Sequence, residues 1–309
     1  MNTSILLQDR HDNMKNAFVG YLAGITAGVA YGTNPLFGKE LLAGGASVSA
    51  VLFFRYLFAT MFMGLLMVAK KESFRVSGRQ LLYLVVLGLC FSASSLFLFS
   101  AYNYIPAGLA TTVVYLYPIF TAVIMAVLRV RQPWQIWGSV LLTLAGVFIL
   151  MNPLGSSGFN LTGTLLAAAS ALSYAIYLII INRSRQMQSV SAHTITFYAL
   201  GFGVLLFLGI HLCEGKEFLH GIDGGRDWMD LVCLGLVPTM ISMLALAVST
   251  KSIGPTRTAV LGVFEPITAI AIGTVAFGEP FTANVAAGAL ICIAGIVFMI
   301  VSGRKSHTI

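Results

Sequence analysis

Two ionisable side chains, Arg55 and Glu265, lie well inside long apolar stretches of this chain. A charge near a bilayer centre costs about 2.5 to 3.5 kcal/mol on insertion scales unless it meets a cavity or a partner, so each marks a place where chemistry is expected. A guanidinium forks onto a carboxylate, and a carboxylate receives an ammonium or exchanges a proton. Together they would hold the two ends of a zwitterion; the plainer reading is a structural ion pair locking two helices. At 1.5 Å per residue Arg55 stands about 11 Å from one boundary of its stretch and Glu265 about 12 Å from the opposite boundary of its own. In a core of about 30 Å that leaves about 7 Å between their levels, within reach of two long side chains.

Around this pair a cavity would draw on Tyr31, Asn34, Ser95, Tyr115, Tyr117, Tyr174 and Ser242. Tyrosine presents an apolar face and a donor tip, suited to a small organic solute, although any one of these residues also suits ordinary helix packing. His193 opens a later apolar stretch near its polar boundary, where an interfacial histidine is expected more than a proton relay. Enzyme signatures are not found: there is no His-x-x-His or Cys-x-x-Cys spacing and no glycine-rich phosphate loop, so neither cofactor nor metal is expected. Cys90 and Cys292 fall in apolar stretches, Cys213 and Cys233 flank a polar loop, and all four read as unpaired.

The elements that must hold these groups follow from composition. Of 309 residues 58% are hydrophobic and 9% charged, with a mean hydropathy of +0.89. A soluble domain carries about 25% charged residues. A globular core of this size cannot hide so much apolar side chain, so lipid is the missing solvent. The net charge of +7 does not point to nucleic acid, because the basic residues sit in short loops and form no stripe with aromatics. Ten stretches near the length of a membrane span are expected, at 17–37, 48–69, 81–102, 107–128, 134–151, 161–182, 192–213, 229–250, 257–277 and 283–302. The polar residues 1–16 and 303–309 are tails, and no cleaved leader is expected. With the amino terminus in the cytoplasm, fourteen of the eighteen Lys and Arg residues fall on the cytoplasmic side; Lys39, Lys216 and Arg226 fall opposite and Arg55 lies within a span. Both termini are thus expected in the cytoplasm.

The chain also repeats itself at an offset of about 142 to 150 residues. Ser-Val-Ser-Ala occurs at 47–50 and at 189–192. Gly20, Gly24, Gly28 and Gly32 match Gly163, Ala167, Ala171 and Ala175, and Tyr31 matches Tyr174. Pro118 matches Pro266, and Ala145-Gly146 matches Ala294-Gly295. The positions matching Arg55 and Glu265 are Phe197 and Tyr117, so each charge occurs once. A repeat of five crossings enters the second time from the opposite face, which predicts two five-helix halves, 17–151 and 161–302, related by a pseudo-two-fold in the membrane plane. Duplication within a passive scaffold is the alternative. The small-residue ladders leave a flat face on spans one and six for close packing or for a homodimer. Asn34-Pro35 interrupts span one and predicts a hinge or a cavity lining.

These features resemble the EamA-type transporters of the drug/metabolite transporter superfamily over essentially the whole chain. The resemblance rests on the glycine-rich openings of spans one and six, Arg55-Tyr56, Tyr117-Pro118-Ile119, Glu265-Pro266-Ile267, Phe277-Gly278-Glu279, and Gly288 with Ala294-Gly295. It implies ten helices in two inverted repeats around a substrate cavity, with spans five and ten peripheral and able to mediate dimers. Arg131-Gln132 departs from the family's Gly-Glu after the fourth helix. A multi-pass permease of the cytoplasmic (inner) membrane is expected, as monomer or homodimer, moving a small-molecule substrate such as an amino acid by alternating access, with the proton as candidate coupling ion. A broad exporter of organic cations and a non-transporting receptor or scaffold are the alternatives.

Overall fold

The structure, a computed structural model, describes residues 3–101, 103–105, 110, 113–130, 133–151, 160–215, 217–277 and scattered positions between 283 and 298. Among them there is helix and no strand. Helix α1 spans Thr3–Tyr31, α2 Asn34–Ala43, α3 Val48–Ala69 and α4 Gly78–Ala101. Helix α5 spans Tyr117–Val127, α6 Trp134–Met151, α7 Leu161–Arg183, α8 the single turn Arg185–Gln188, and α9 Ala192–Glu214. Helix α10 runs Gly225–Ile253, followed by α11, Pro255–Leu261, and α12, Phe264–Phe277.

Local chemistry sets these limits. The hydroxyl of Ser47 accepts the Ala50 amide at 3.2 Å to open α3, Asn160 accepts that of Gly163 at 3.1 Å to open α7, and Ser191 accepts that of Thr194 at 3.1 Å to open α9. Gly215 ends α9 with φ of +63°, a left-handed turn that costs glycine nothing. Gly254, at φ +86°, turns the chain from α10 into α11, whose first residue Pro255 gives up an amide no helix would have used.

Five helices, α3, α4, α7, α9 and α10, are long and apolar enough to cross a membrane. Only 39 to 56% of each is buried within the protein, so the remaining apolar surface needs lipid, as Leu65, Leu165 and Leu205, each at least 60% exposed, illustrate. This is a multi-pass membrane protein. Helix α6 covers the expected 134–151, whereas three other expected spans are broken rather than continuous. The first divides at Gly32-Thr33 into α1 and α2, the fourth turns at Tyr115-Leu116 before α5, and the ninth divides at Gly262-Val263 into α11 and α12. The break in the first span is stabilised locally: the Ala30 carbonyl accepts both the Thr33 amide at 3.2 Å and the Thr33 hydroxyl at 2.7 Å. Most of 283–302 lies outside the described residues, as do residues 1–2 and the carboxy-terminal tail 303–309, whereas residues 3–16 of the expected amino-terminal tail form the start of α1.

Packing is reciprocal between the halves. Helix α1 of the first half packs on α10 and α12 of the second, and α7 of the second packs on α4 and α5 of the first. Helices α3 and α9 pack on each other. The glycine ladder of α1 is the seam: a β-carbon added at Gly20, Gly24, Gly28 or Gly32 would stand 2.5 to 3.0 Å from atoms of Ile253, Leu261, Phe264 or Glu265. Ala167, Ala171 and Ala175 of α7 are wholly buried in the same manner. The ladders thus pack within the chain, where the sequence also allowed a homodimer face. Gly138 of α6 meets Phe298, and Gly295 meets Thr143, so α6 and the described residues near 295–298 lie against each other.

Candidate functional site

Arg55 projects from the middle of α3 and is fully buried. Its placement depends on an irregularity in α10, where Leu236–Ile241 winds as a π-helix. The wide turn lets the Thr239 hydroxyl donate to the Leu234 carbonyl, five residues back, at 2.7 Å, and accept from Arg55 Nε at 2.6 Å. Gly235, just before the turn, lets α10 approach the α3 backbone: a β-carbon there would lie 2.9 Å from the Arg55 carbonyl oxygen. The guanidinium then extends over the Tyr31 ring, 5.6 Å from its centroid. Both terminal nitrogens, Nη1 and Nη2, are buried and make no hydrogen bond of good geometry among the described residues, with the Tyr31 side chain beside the guanidinium.

Glu265 opens the helix after the Gly262-Val263 break, in the first turn of α12. Its backbone is held by the α1 ladder, with Gly28 against its amide and Gly32 against its carbonyl. The carboxylate feels the Arg55 charge, and Tyr31, Tyr117 and Tyr174 lie in the same electrostatic neighbourhood. The two charges do not form the direct ion pair that their levels allowed. Far from this cluster, His193 Nδ1 lies 2.8 Å from Glu72 Oε1.

The tyrosines form one connected group. Tyr117 meets Tyr174 edge to face at 4.8 Å and Tyr115 at 5.6 Å, while Tyr174 stacks on Tyr177 at 6.4 Å. Tyr115 donates to the Val260 carbonyl at 3.2 Å, and the Tyr117 hydroxyl lies directly over Gly262, so both reach the break that sets Glu265. The structure brings Arg55, Glu265, Tyr31, Tyr115, Tyr117 and Tyr174 near one another. Ser95 and Ser242 are used otherwise. Ser95 shares a 2.8 Å hydrogen bond with Tyr56, and Ser242 donates to the Ala27 carbonyl at 3.0 Å, tying α10 to α1. Asn34 keeps a buried Oδ1 without a partner among the described residues at the start of α2. Thr239 and Tyr177 were missed: a π-turn leaves no spacing signature in so apolar a helix, and Tyr177 differs from other core tyrosines only by its neighbours. Cys90, Cys213 and Cys233 are free thiols.

A shallow groove bounded by Leu205, Leu206, Gly209, Ile210, Cys213 and Glu214 lies along the outer flank of α9. Its wall is mostly apolar and it is not part of the Arg55 cluster.

The EamA-like transporter family model matches this chain twice, over residues 18–152 and 161–301. The chain belongs to the EamA-like transporter family. Family membership makes the duplication seen in the sequence a repeat of the family domain itself. An uncharacterised transporter of Archaeoglobus fulgidus is 26% identical over 278 residues, covering 90% of this chain and 95% of that one. The uncharacterised transporter YdfC of Bacillus subtilis is 24% identical over 66% of each chain, and sll1319 of Synechocystis, also an uncharacterised transporter, 28% over 60% of this chain. A solved crystal structure shares the fold at a TM-score of 0.79 with 21% identity, covering 91% of this chain and 98% of that one.

Proposed function

We propose that this chain is a secondary transporter that moves small polar metabolites, amino acids and related zwitterions first among them, across the cytoplasmic membrane by alternating access. The observation that carries the substrate class is the fork of Arg55: two buried guanidinium nitrogens that make no hydrogen bond of good geometry among the described residues, held beside an acid that does not pair with them. Burying an unpaired charge is costly, and a carboxylate arriving between the halves would satisfy both nitrogens at once. Glu265 then receives the ammonium, or releases and takes up the proton that couples transport. Alternating access is supported by the reciprocal packing of the halves, and by three spans broken at the level of the cluster, as in carriers whose half-helices surround the substrate.

A second reading has its own support. The connected rings of Tyr115, Tyr117, Tyr174 and Tyr177 beside one carboxylate would also receive an organic cation. Thermal stabilisation of the detergent-purified protein by a panel of amino acids, polyamines, organic cations and sugar phosphates separates the two, because a ligand of the folded state raises its melting point. Stabilisation by amino acids that disappears in Arg55→Ala, followed by flux in liposomes, supports the zwitterion carrier. Stabilisation by cations alone, retained in that variant, selects the cation exporter. Binding without any flux in liposomes would remove the transport reading.

A further inference from the structure

Helices α3 and α9 run antiparallel, and a serine, a glutamate and a histidine close the pair at each end. At one end Ser191, at the start of α9, donates to Glu72 Oε2 at 2.8 Å, while His193 Nδ1 meets Glu72 Oε1 at 2.8 Å. At the other end Ser49, at the start of α3, donates to Glu214 Oε2 at 2.9 Å, while His211 Nδ1 meets the Ser49 oxygen at 2.8 Å. Helix α3 has 22 residues, so the two clusters stand about 33 Å apart. Ser49 and Ser191 are separated by 142 residues, and so are Glu72 and Glu214. The repeat has thus written one serine–glutamate contact twice, and each copy joins the first half of the chain to the second.

Each contact ends on an acid that reaches water, Glu214 being exposed and Glu72 partly so, although Ser49 is buried. Glu72 and His193 keep 25% and 18% of their side chains exposed, and partly exposed pairs contribute little net stability, so water can replace the contact when it breaks. Neither serine is lost to its helix when this happens, because the caps use other bonds: Ser47 caps α3, and Ser191 keeps its bond from the Thr194 amide. The surroundings are not identical. The Glu72 end is reinforced by Tyr198 donating to the Phe74 carbonyl at 2.7 Å and by Lys70 at 3.1 Å from His193 Nε2. At the Glu214 end His211 is buried under the Phe218 ring, 3.8 Å between centroids.

We infer that Ser191–Glu72 and Ser49–Glu214 are paired latches, one for each mouth of the substrate path, and that opening to a given side breaks the latch on that side while the other stays made. This rests on the transport reading above, but its test does not use transport. The structure has both latches made.

Amide hydrogen exchange of the purified full chain reads each end separately. In Glu72→Ala, exchange over residues 70–77 and 189–194 should rise at least fivefold, while residues 44–49 and 211–215 exchange at the parent rate or slower. Glu214→Ala should give the mirror image. Ser191→Ala and Ser49→Ala, which remove no charge but take with the latch the Ser191 cap of α9 and the Ser49 contact to His211, should repeat the two patterns more weakly and serve if the glutamate variants do not assemble. Faster exchange at both ends in either variant, no change at either end, or loss of the folded protein in both serine variants would overturn the proposal. Flux is measured separately, so a protein that carries nothing yet shows the mirrored pattern would sink the transport reading and leave the latches standing.

Discussion

Gly32 and Glu265 touch across the seam between the two halves: a β-carbon at Gly32 would lie 2.5 Å from the Glu265 carbonyl oxygen. The acid of the candidate site is positioned by a glycine some 230 residues earlier in the chain, at a break in another helix. Gly32→Val should push the Glu265 turn away, costing about 1 to 3 kcal/mol as overpacking does and abolishing ligand-induced stabilisation. Gly209→Val, at a position with nothing within 4 Å, should leave both unchanged. Melting curves with and without ligand check the pair.

Arg55 offers a geometric test of its fork. Lysine keeps the charge but cannot present two parallel donors, so Arg55→Lys should weaken amino-acid binding by about tenfold or more while the protein remains folded. Binding isotherms of parent and variant decide it; equal affinity would mean that charge alone is read.

Thr239→Val preserves shape and removes the acceptor for Arg55 Nε. A buried donor left without its partner costs about 1 to 3 kcal/mol, so the melting point should fall clearly. Thr239→Ser should restore most of it. A valine variant as stable as the parent would show that the hydroxyl does not anchor the guanidinium.

Tyr117 and Gly262 should be energetically coupled, because a β-carbon at Gly262 would coincide with the tyrosine hydroxyl, 1.5 Å away. Gly262→Ala alone should be strongly destabilising and Tyr117→Phe alone mild. The double variant should recover part of the loss, a coupling of about 0.5 to 3 kcal/mol in a double-mutant cycle. Recovery stays incomplete because the ring carbon bearing the hydroxyl remains at 2.8 Å.

Glu265→Gln keeps shape and removes the exchangeable proton of the acid. If that proton couples transport, liposomes carrying this variant should still exchange substrate for substrate yet fail to accumulate it under an imposed pH gradient. Accumulation at the parent level would assign Glu265 to the ammonium alone.

Much of this arrangement was legible in the chain. The glycines at spacing four from Gly20 to Gly32 showed a close helix contact, and the lone charges Arg55 and Glu265 showed where lipid could not be the neighbour. What the residues did not show was which partner each would take. The breaks at Gly32-Thr33 and Gly262-Val263 are two-residue events inside apolar runs whose periodicity barely changes. The bonds of Ser95 to Tyr56 and of Ser242 to the Ala27 carbonyl were not readable, because a hydroxyl facing substrate and a hydroxyl facing a neighbouring helix carry the same spacing. The latches had a readable signal in the common separation of Ser49 from Ser191 and of Glu72 from Glu214, but only the packing of α3 on α9 shows that each serine meets the other half's acid.

The π-turn at Leu236–Ile241 occupies only one of the two halves; its counterpart in α4 is regular helix. The single guanidinium is therefore tethered to one side of an otherwise balanced pair. A carrier built this way has a preferred resting posture, and its forward and return strokes climb barriers of different height. Vesicles in which every molecule faces the same way should fill and empty at unequal speeds, whereas a population inserted at random would average that inequality to nothing.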